Sequence, residues 1–145
     1  MFFDTKGTFK INKTIREPYF NMQKEHHHNA HEIYYLVSGT RKFFLNDSIY
    51  IVNKGDLIII PKGAIHKSTY ISNLTHERLY IYFSDEYLKD LIDEYGKKII
   101  SKFFLFPHIT LSLEEKIYIE NLFLKIQNEY IKKDLFSNTL LKIYI

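Results

Sequence analysis

The chain has no cysteine among its 145 residues, and that absence removes whole classes of protein. It can build neither a disulfide scaffold nor a thiolate metal site, and a reducing compartment is permitted. Tryptophan is missing too, although aromatic residues reach 17% through 12 tyrosines and 12 phenylalanines. Most of these should fill strands, which leaves some for an aromatic-lined cavity or an interface. Strong charge of either sign is lacking. The net charge is +3 with the lysines scattered, too little to argue for nucleic-acid binding by this segment. No apolar run approaches the roughly 18–20 residues that span a bilayer. The N-terminal MFFDTKGTFKINK carries Asp4 and Lys6 where a signal peptide would need an apolar core. Internal repeats and low-complexity linkers are absent as well. The expectation is a soluble cytoplasmic protein with no membrane partner, and one domain long enough for a substantial core.

Residues 1–16 show little periodicity and are read as an N-terminal arm. From about Pro18 to Phe83 the chain reads as short strands between turns: Glu32–Val37, Thr40–Leu45, Ser48–Val52, Leu57–Ile60, His66–Ile71 and Glu77–Phe83. Asn46-Asp47 is a tight hairpin turn, and Asn53-Lys54-Gly55-Asp56 is the next one. Pro61 has no N–H and Gly63 permits positive φ, so the ladder should stop there. Many short strands at close spacing indicate a sandwich or small barrel.

The pattern then becomes helical. Ser84 is placed to cap a helix over about 85–95, with Asp85 and Glu86 at the positive end of its dipole and Gly96 as its stop. Phe103-Phe104-Leu105-Phe106 before Pro107 is read as a further strand. Ser112 and Glu115 form a capping-box pattern that opens a helix to about Tyr130–Lys132. That helix carries two apolar stripes. Ile119, Leu122, Phe123, Ile126 and Tyr130 make one. Leu113, Ile117, Leu124 and Ile131 make the other, about 140° away at 100° per residue. The first is expected to pack on the barrel and the second on another copy of the chain. A helix sandwiched within its own chain is the alternative. The segment from Ser137 ends on the apolar Ile143-Tyr144-Ile145 and is read as a second helix whose continuation is absent.

The densest chemistry lies between His26 and His66. HHHNAHEIYYLVSG contains His26-x-His28-xxx-Glu32 and closes on Gly39. GDLIIIPKGAIH contains Gly55, Pro61-x-Gly63 and His66. Alternate side chains of a strand share a face, so His26 and His28 point together, with Glu32 and His66 able to join them. Three imidazoles and a carboxylate suit zinc, nickel, manganese or iron(II) with a position left open. The same groups could instead line a pocket and hold an organic ligand by hydrogen bonds. Tyr34 shares the Glu32 face and is either a pocket wall with a polar tip or core packing. His27 and His31 are expected on the surface, and His76 and His108 carry no signal.

These two blocks resemble the two cupin motifs. The final Asn of the second motif is replaced by Tyr70, and the Gly expected before the first His pair is missing. HEIYYLVSGTRKFFLNDSIYIVNKGDLIIIPKGAIHKS, with Phe-Ser-Asp-Glu-Tyr-Leu at 83–88 and the helices after it, is similar to a narrower family. That family is the N-terminal sensing and dimerisation domain of AraC-type transcription regulators, and the likeness spans about residues 15–145. It implies a mainly β fold with C-terminal helices: a cupin (double-stranded β-helix, jelly-roll) barrel over 17–111 with an inserted helix near 85–95. An antiparallel helical pair for dimerisation would follow over 112–145. It also implies a small effector, often a sugar in that family, bound in the barrel by His26, His28, Glu32, Tyr34 and His66, and a homodimer formed through Leu113, Ile117, Leu124 and Ile131. DNA would be bound only through a C-terminal domain absent from this chain. No catalysis is expected. A divalent metal on His26, His28, Glu32 and His66 is the candidate cofactor. The alternative is a small cupin metalloenzyme, a dioxygenase or a sugar isomerase.

Overall fold

The computed structural model describes residues 2–3, 9–17, 30–71 and 75–132. The chain divides into two compact units, Met1–Thr110 and Leu111–Ile145. The described residues of the first unit form nine strands: β1 (Phe2–Phe3), β2 (Phe9–Arg16), β3 (His31–Ser38), β4 (Thr40–Leu45), β5 (Ser48–Asn53), β6 (Asp56–Ile60), β7 (His66–Tyr70), β8 (His76–Phe83) and β9 (His108–Thr110). They form one sheet in the order β1-β2-β8-β3-β6-β9 and a second in the order β5-β4-β7.

The turns of the sequence end strands as their chemistry requires. Asn46 takes φ 50° in the β4–β5 hairpin, a conformation asparagine tolerates. Gly39, between β3 and β4, has φ 92°. A Cβ there would lie 2.8 Å from the Cβ of His76. The close approach accompanies a register shift between Leu36 and Ser38 in the β3–β8 ladder. Glycine at position 39 therefore answers both a backbone and a packing demand.

An apolar cluster lies between the two sheets. Tyr34 and Leu36 of β3 and Ile58 and Ile60 of β6 pack with Phe43 and Leu45 of β4 and Val52 of β5. The opposite face of the larger sheet is buried as well, through Phe9, Ile11, Tyr35, Ile59, Ile81 and Phe83. Burial on both faces explains why β6 reads as an unbroken apolar run rather than an alternating one. Part of that outer face is covered by the segment after β8. The ring of Tyr87 lies 5.2 Å from that of Phe9, and Phe104 stacks on His31 at 4.9 Å.

Several expectations need correction. Phe9–Arg16, read as part of an arm, is an eight-residue strand paired along its whole length with β8. The segment after Phe83 begins as a 3-10 turn, Asp85–Leu88, and becomes α1 (Lys89–Tyr95) only afterwards. The side chain of Ser84 makes no capping hydrogen bond. Gly96 does end α1, at φ 82°, with its N–H donating to the Ile92 carbonyl. Phe103–Phe106 is not a strand: α2 (Lys98–Phe103) ends there, and the strand comes later as β9. Phe-rich sequence suits either state, and here the six-residue helix won.

The second unit opens with the capping box intact. The Glu115 N–H donates to Ser112 Oγ at 3.2 Å, and the Ser112 N–H donates to Glu115 Oε2 at 2.7 Å. From it runs α3 (Leu113–Lys132). Phe123, Ile126 and Tyr130 of the first stripe are buried. Leu113, Ile117, Leu124 and Ile131 are between 55% and 75% exposed. The partner helix expected from Ser137 lies outside the described residues, so one long helix stands where a pair was anticipated.

Gly39→Ala should destabilise the protein by about 1–3 kcal/mol, the cost of strain at a position held at positive φ. Chemical denaturation at constant pH measures this, and an unchanged midpoint would contradict the assigned backbone.

Candidate functional site

Strand pairing decides which side chains share the interior. Directly opposed residues of antiparallel strands lie on one face. Lys10, Tyr82, Glu32 and Ile60 are successive cross-strand partners and form one row. Asn12, Tyr80, Tyr34 and Ile58 form the next, followed by Thr14, Arg78 and Leu36. Tyr34, Leu36, Ile58 and Ile60 place this face against the smaller sheet. There Arg41, Phe43 and Leu45 of β4 and His66 and Ser68 of β7 are also buried.

Glu32 is 3% exposed and His66 1%. His66 Nε2 stands 3.5 Å from Glu32 Oε2, and that oxygen has no hydrogen-bond partner. His66 Nδ1 lies 3.0 Å from the Ala64 carbonyl. A carbonyl only accepts, so Nδ1 carries the proton and Nε2 turns its lone pair toward the carboxyl group. Burial pushes the Glu32 carboxyl up to about 7, against the opposing pull of Arg78 and Lys10. Tyr34 packs edge-on against Phe43, whose ring is parallel to that of His66. Its hydroxyl is buried without a partner at full hydrogen-bond geometry, and burial raises it to about 12.

Of the residues expected at the site, the structure brings Glu32, Tyr34 and His66 into the interior. His26 and His28 lie outside the described residues. The described residues contain no cluster of three or more His, Cys, Asp or Glu side chains able to hold a metal. Glu32 and His66 are a matching half-set: a buried unpartnered oxygen beside an imidazole whose second nitrogen is fixed by a carbonyl.

His31 does lie on the face opposite Glu32, yet it is buried rather than on the surface. Its Nδ1 accepts the Lys62 N–H at 3.0 Å, so its Nε2 carries the proton and donates to Asp85 Oδ1 at 2.6 Å. Lys62 Nζ donates to Asp85 Oδ2 at 2.6 Å. The hydrogen bonds from Lys62 and His31 hold the Asp85 carboxyl below the usual carboxylate range. His31 thus pins the Pro61-Lys62-Gly63 turn, from which the chain leads into His66. His108 and His76, which carried no sequence signal, both have structural settings. His108 Nε2 meets Asp56 Oδ2 at 2.9 Å, and His76 is buried beneath Gly39.

Sequence reasoning missed the cations of the interior. Lys10 Nζ lies 5.0 Å from the Tyr82 ring centre and 5.8 Å from that of Tyr80. The Arg78 guanidinium sits 5.1 Å from the Tyr80 ring centre and 5.9 Å from that of Tyr34, while its Nε donates to Thr14 Oγ1. Arg41 Nε donates to Ser68 Oγ at 2.9 Å. The one signal available was the alternation Lys10, Asn12, Thr14, Arg16, which ordinarily marks a solvated strand face.

Two solved structures share the cupin fold. One is the cupin domain of Cnp3 from Schizosaccharomyces pombe, with TM-score 0.54 and 12% identity, covering 66% of this chain and 63% of that one. The other is a cupin 2 conserved barrel domain protein from Salinispora arenicola CNS-205, with TM-score 0.51 and 16% identity, covering 66% and 80%. The fold is therefore that of a cupin. Residues 14–142 match the AraC-like ligand binding domain, and the chain belongs to that family. It is also similar to acireductone dioxygenase of Saccharomyces cerevisiae, 30% identical over 88 residues that cover 56% of this chain and 49% of the enzyme. The chain thus spans about half the length of that relative. No helix among the described residues is long and apolar enough to cross a membrane.

The raised Glu32 carboxyl makes stability depend on pH. A carboxyl near 7 when folded and near its ordinary 4.5 when unfolded binds its proton more tightly in the native state. The stability it confers is complete below about pH 4.5 and is lost as pH rises through 7. Glu32→Gln removes this dependence. Between pH 5 and pH 8 the native protein should lose on the order of 2 kcal/mol more than the variant does. Denaturant midpoints at the two pH values test this; parallel losses would mean that the carboxyl ionises as freely as an exposed one.

Proposed function

We propose that this chain is the effector-sensing and dimerisation domain of a bacterial transcription regulator of the AraC type, acting in the cytoplasm. A small molecule enters between the two sheets and meets Glu32, Tyr34 and His66, with His26 and His28 as further candidates from the sequence. DNA is then contacted through a separate domain of the full protein, not through this one. The observation that carries the reading is the buried Glu32 Oε2, without a hydrogen-bond partner and beside His66, inside a domain of a ligand-binding family. Leaving such a group unsatisfied costs about 1–3 kcal/mol, which a bound ligand offsets. To act as a signal, the effector must bind two arrangements of the protein with different affinities.

Incubation with a bacterial metabolite extract, gel filtration and mass spectrometry of the released small molecules test sensing. The wild-type chain should carry a compound that Glu32→Ala and His66→Ala fail to retain. Equal recovery from all three would end the reading.

Dimerisation is proposed through Leu113, Ile117, Leu124 and Ile131, an apolar stripe of α3 left exposed in the single chain. Two charges placed there should abolish association. Light scattering of Ile117→Asp with Leu124→Asp is expected to give a monomer where the native chain gives a dimer. A dimer that survives both changes would place the interface elsewhere.

A second reading, a small cupin metalloenzyme, is favoured by the same His66 and Glu32 geometry and by the likeness to acireductone dioxygenase. Glu32 and His66 would hold a divalent metal such as zinc, nickel, manganese or iron, with His26 and His28 completing the set. A metal with an open position would polarise a bound oxygen atom. Elemental mass spectrometry of chelator-washed protein decides between the readings. About one metal per chain, lost in His66→Ala and Glu32→Ala, would favour the enzyme; folded, metal-free protein would favour the sensor.

A further inference from the structure

The ring of bonds among Lys62, His31 and Asp85 lies outside the proposed site yet ends two residues from it. His31 stands on the outer face of β3, next to Glu32 on the inner one. Both of its ring nitrogens are in use. Nδ1 accepts the Lys62 N–H at 3.0 Å, and Nε2 donates to Asp85 Oδ1 at 2.6 Å. Lys62 Nζ closes the ring by donating to Asp85 Oδ2. Lys62 belongs to the turn in which the Ala64 N–H donates to the Pro61 carbonyl at 3.1 Å. The Ala64 carbonyl in turn fixes His66 Nδ1. The pose of the His66 ring beside Glu32 thus depends on a turn that is bonded, on its outer side, to Asp85.

Asp85 opens a segment that has two locally sound arrangements. Asp85–Leu88 is a 3-10 turn in which the Tyr87 N–H donates to the Ser84 carbonyl at 3.1 Å, and α1 starts only at Lys89. The Ser84 hydroxyl is buried without a hydrogen-bond partner. Its backbone, at φ −88° and ψ 169°, already has the extended conformation of a helix N-cap. Asp85 and Glu86 stand where a helix dipole favours acidic side chains. Rewinding 85–88 to the α form would join it to α1 and let Ser84 Oγ accept the Glu86 or Tyr87 N–H. The 3-10 form forgoes that bond and keeps Asp85 on His31 and Lys62. Leaving a buried hydroxyl unbonded is costly, and the bonds of Asp85 offset that cost.

We infer that Lys62, His31 and Asp85 form a clasp that couples the effector site to the turn at 85–88. With the clasp closed the turn is 3-10; with it open the turn becomes the Ser84-capped start of α1. The inference rests on the sensing function given above and names how that site is regulated. An effector that meets His66 as Ala64 holds it favours the closed form. One that draws the ring away loosens the turn and favours the open form. These are two arrangements with different affinities, as signalling requires. The segment runs on through α2 to β9, whose last residue, Thr110, adjoins the second unit.

The test uses the chelator-washed, ligand-free chain, with amide exchange and imidazole nitrogen-15 shifts read by NMR. The Asp85 side chain is 52% exposed, so its truncation leaves the core intact. Asp85→Ala should speed exchange of the Lys62 amide about tenfold or more, as expected for loss of charge-assisted bonds. It should also shift the His66 ring signals. Asp85→Asn, which keeps an oxygen for His31, should restore most of the wild-type pattern. Amides of the β4–β5 ladder are the control and should not change. Ser84→Ala should leave the unfolding temperature of the wild type unaltered. In the Asp85→Ala background it should lower that temperature by about 2–4 °C, the effect of losing a helix cap.

A Ser84→Ala effect of equal size in both backgrounds would overturn the capped form. Lys62 exchange and His66 signals indifferent to Asp85→Ala would overturn the coupling. Equal acceleration in the β4–β5 ladder would overturn it too, since that marks general loosening. No ligand enters these measurements. Failure here leaves the sensor standing, and failure of the metabolite-extract experiment leaves the clasp standing.

Discussion

The position of β8 between β2 and β3 is the constraint on which the rest of this protein depends. Antiparallel pairing on both sides fixes which residues face inward, because a strand's side chains alternate and opposed residues share a face. A slip of one residue would turn Glu32, Tyr34, Tyr80 and Arg78 outward and bring Tyr35, Ile81 and Phe83 into the interior. The register is held because both faces of the sheet are buried. Apolar residues fill the outer face, and a mixed layer of aromatic, charged and apolar groups fills the inner one. The site is thus a consequence of the ladder.

Support from outside the site sharpens the geometry. His31 faces away from Glu32 yet bonds the backbone of the turn that delivers His66. Asp85, at the start of the 3-10 turn after β8, closes that arrangement by meeting both His31 and Lys62. A carbonyl fixes the tautomer of His66, and a buried carboxyl waits across from it. Charged groups in such a compartment interact more strongly than they would in water.

Much of the fold was legible in the chain. β4 was read with the bounds it has, and β3, β5, β6, β7 and β8 differ from their expected bounds by one residue at one or both ends. The capping box at Ser112 and Glu115 formed both of its hydrogen bonds. The failures share a cause. Phe9–Arg16 is a strand because β8 offers a full edge for it, and that is a non-local fact. Phe103–Phe106 has strand composition but lies where the chain turns back. Ser84 stands in a capping position, but a 3-10 turn starts there and its hydroxyl makes no cap bond.

For the site, the spacing of the motif blocks pointed to Glu32, Tyr34 and His66, which the fold carries on β3 of one sheet and β7 of the other. Residue identity and period-two alternation were enough for that, as the 3.6-residue helical period was for the two apolar stripes of α3. Spacing could not have found Lys10, Arg41 or Arg78. Polar residues at alternate positions of a strand look the same whether they face solvent or a closed interior. Which of the two they face depends on the sheet packed against them, and that is decided only when strands distant in sequence have assembled.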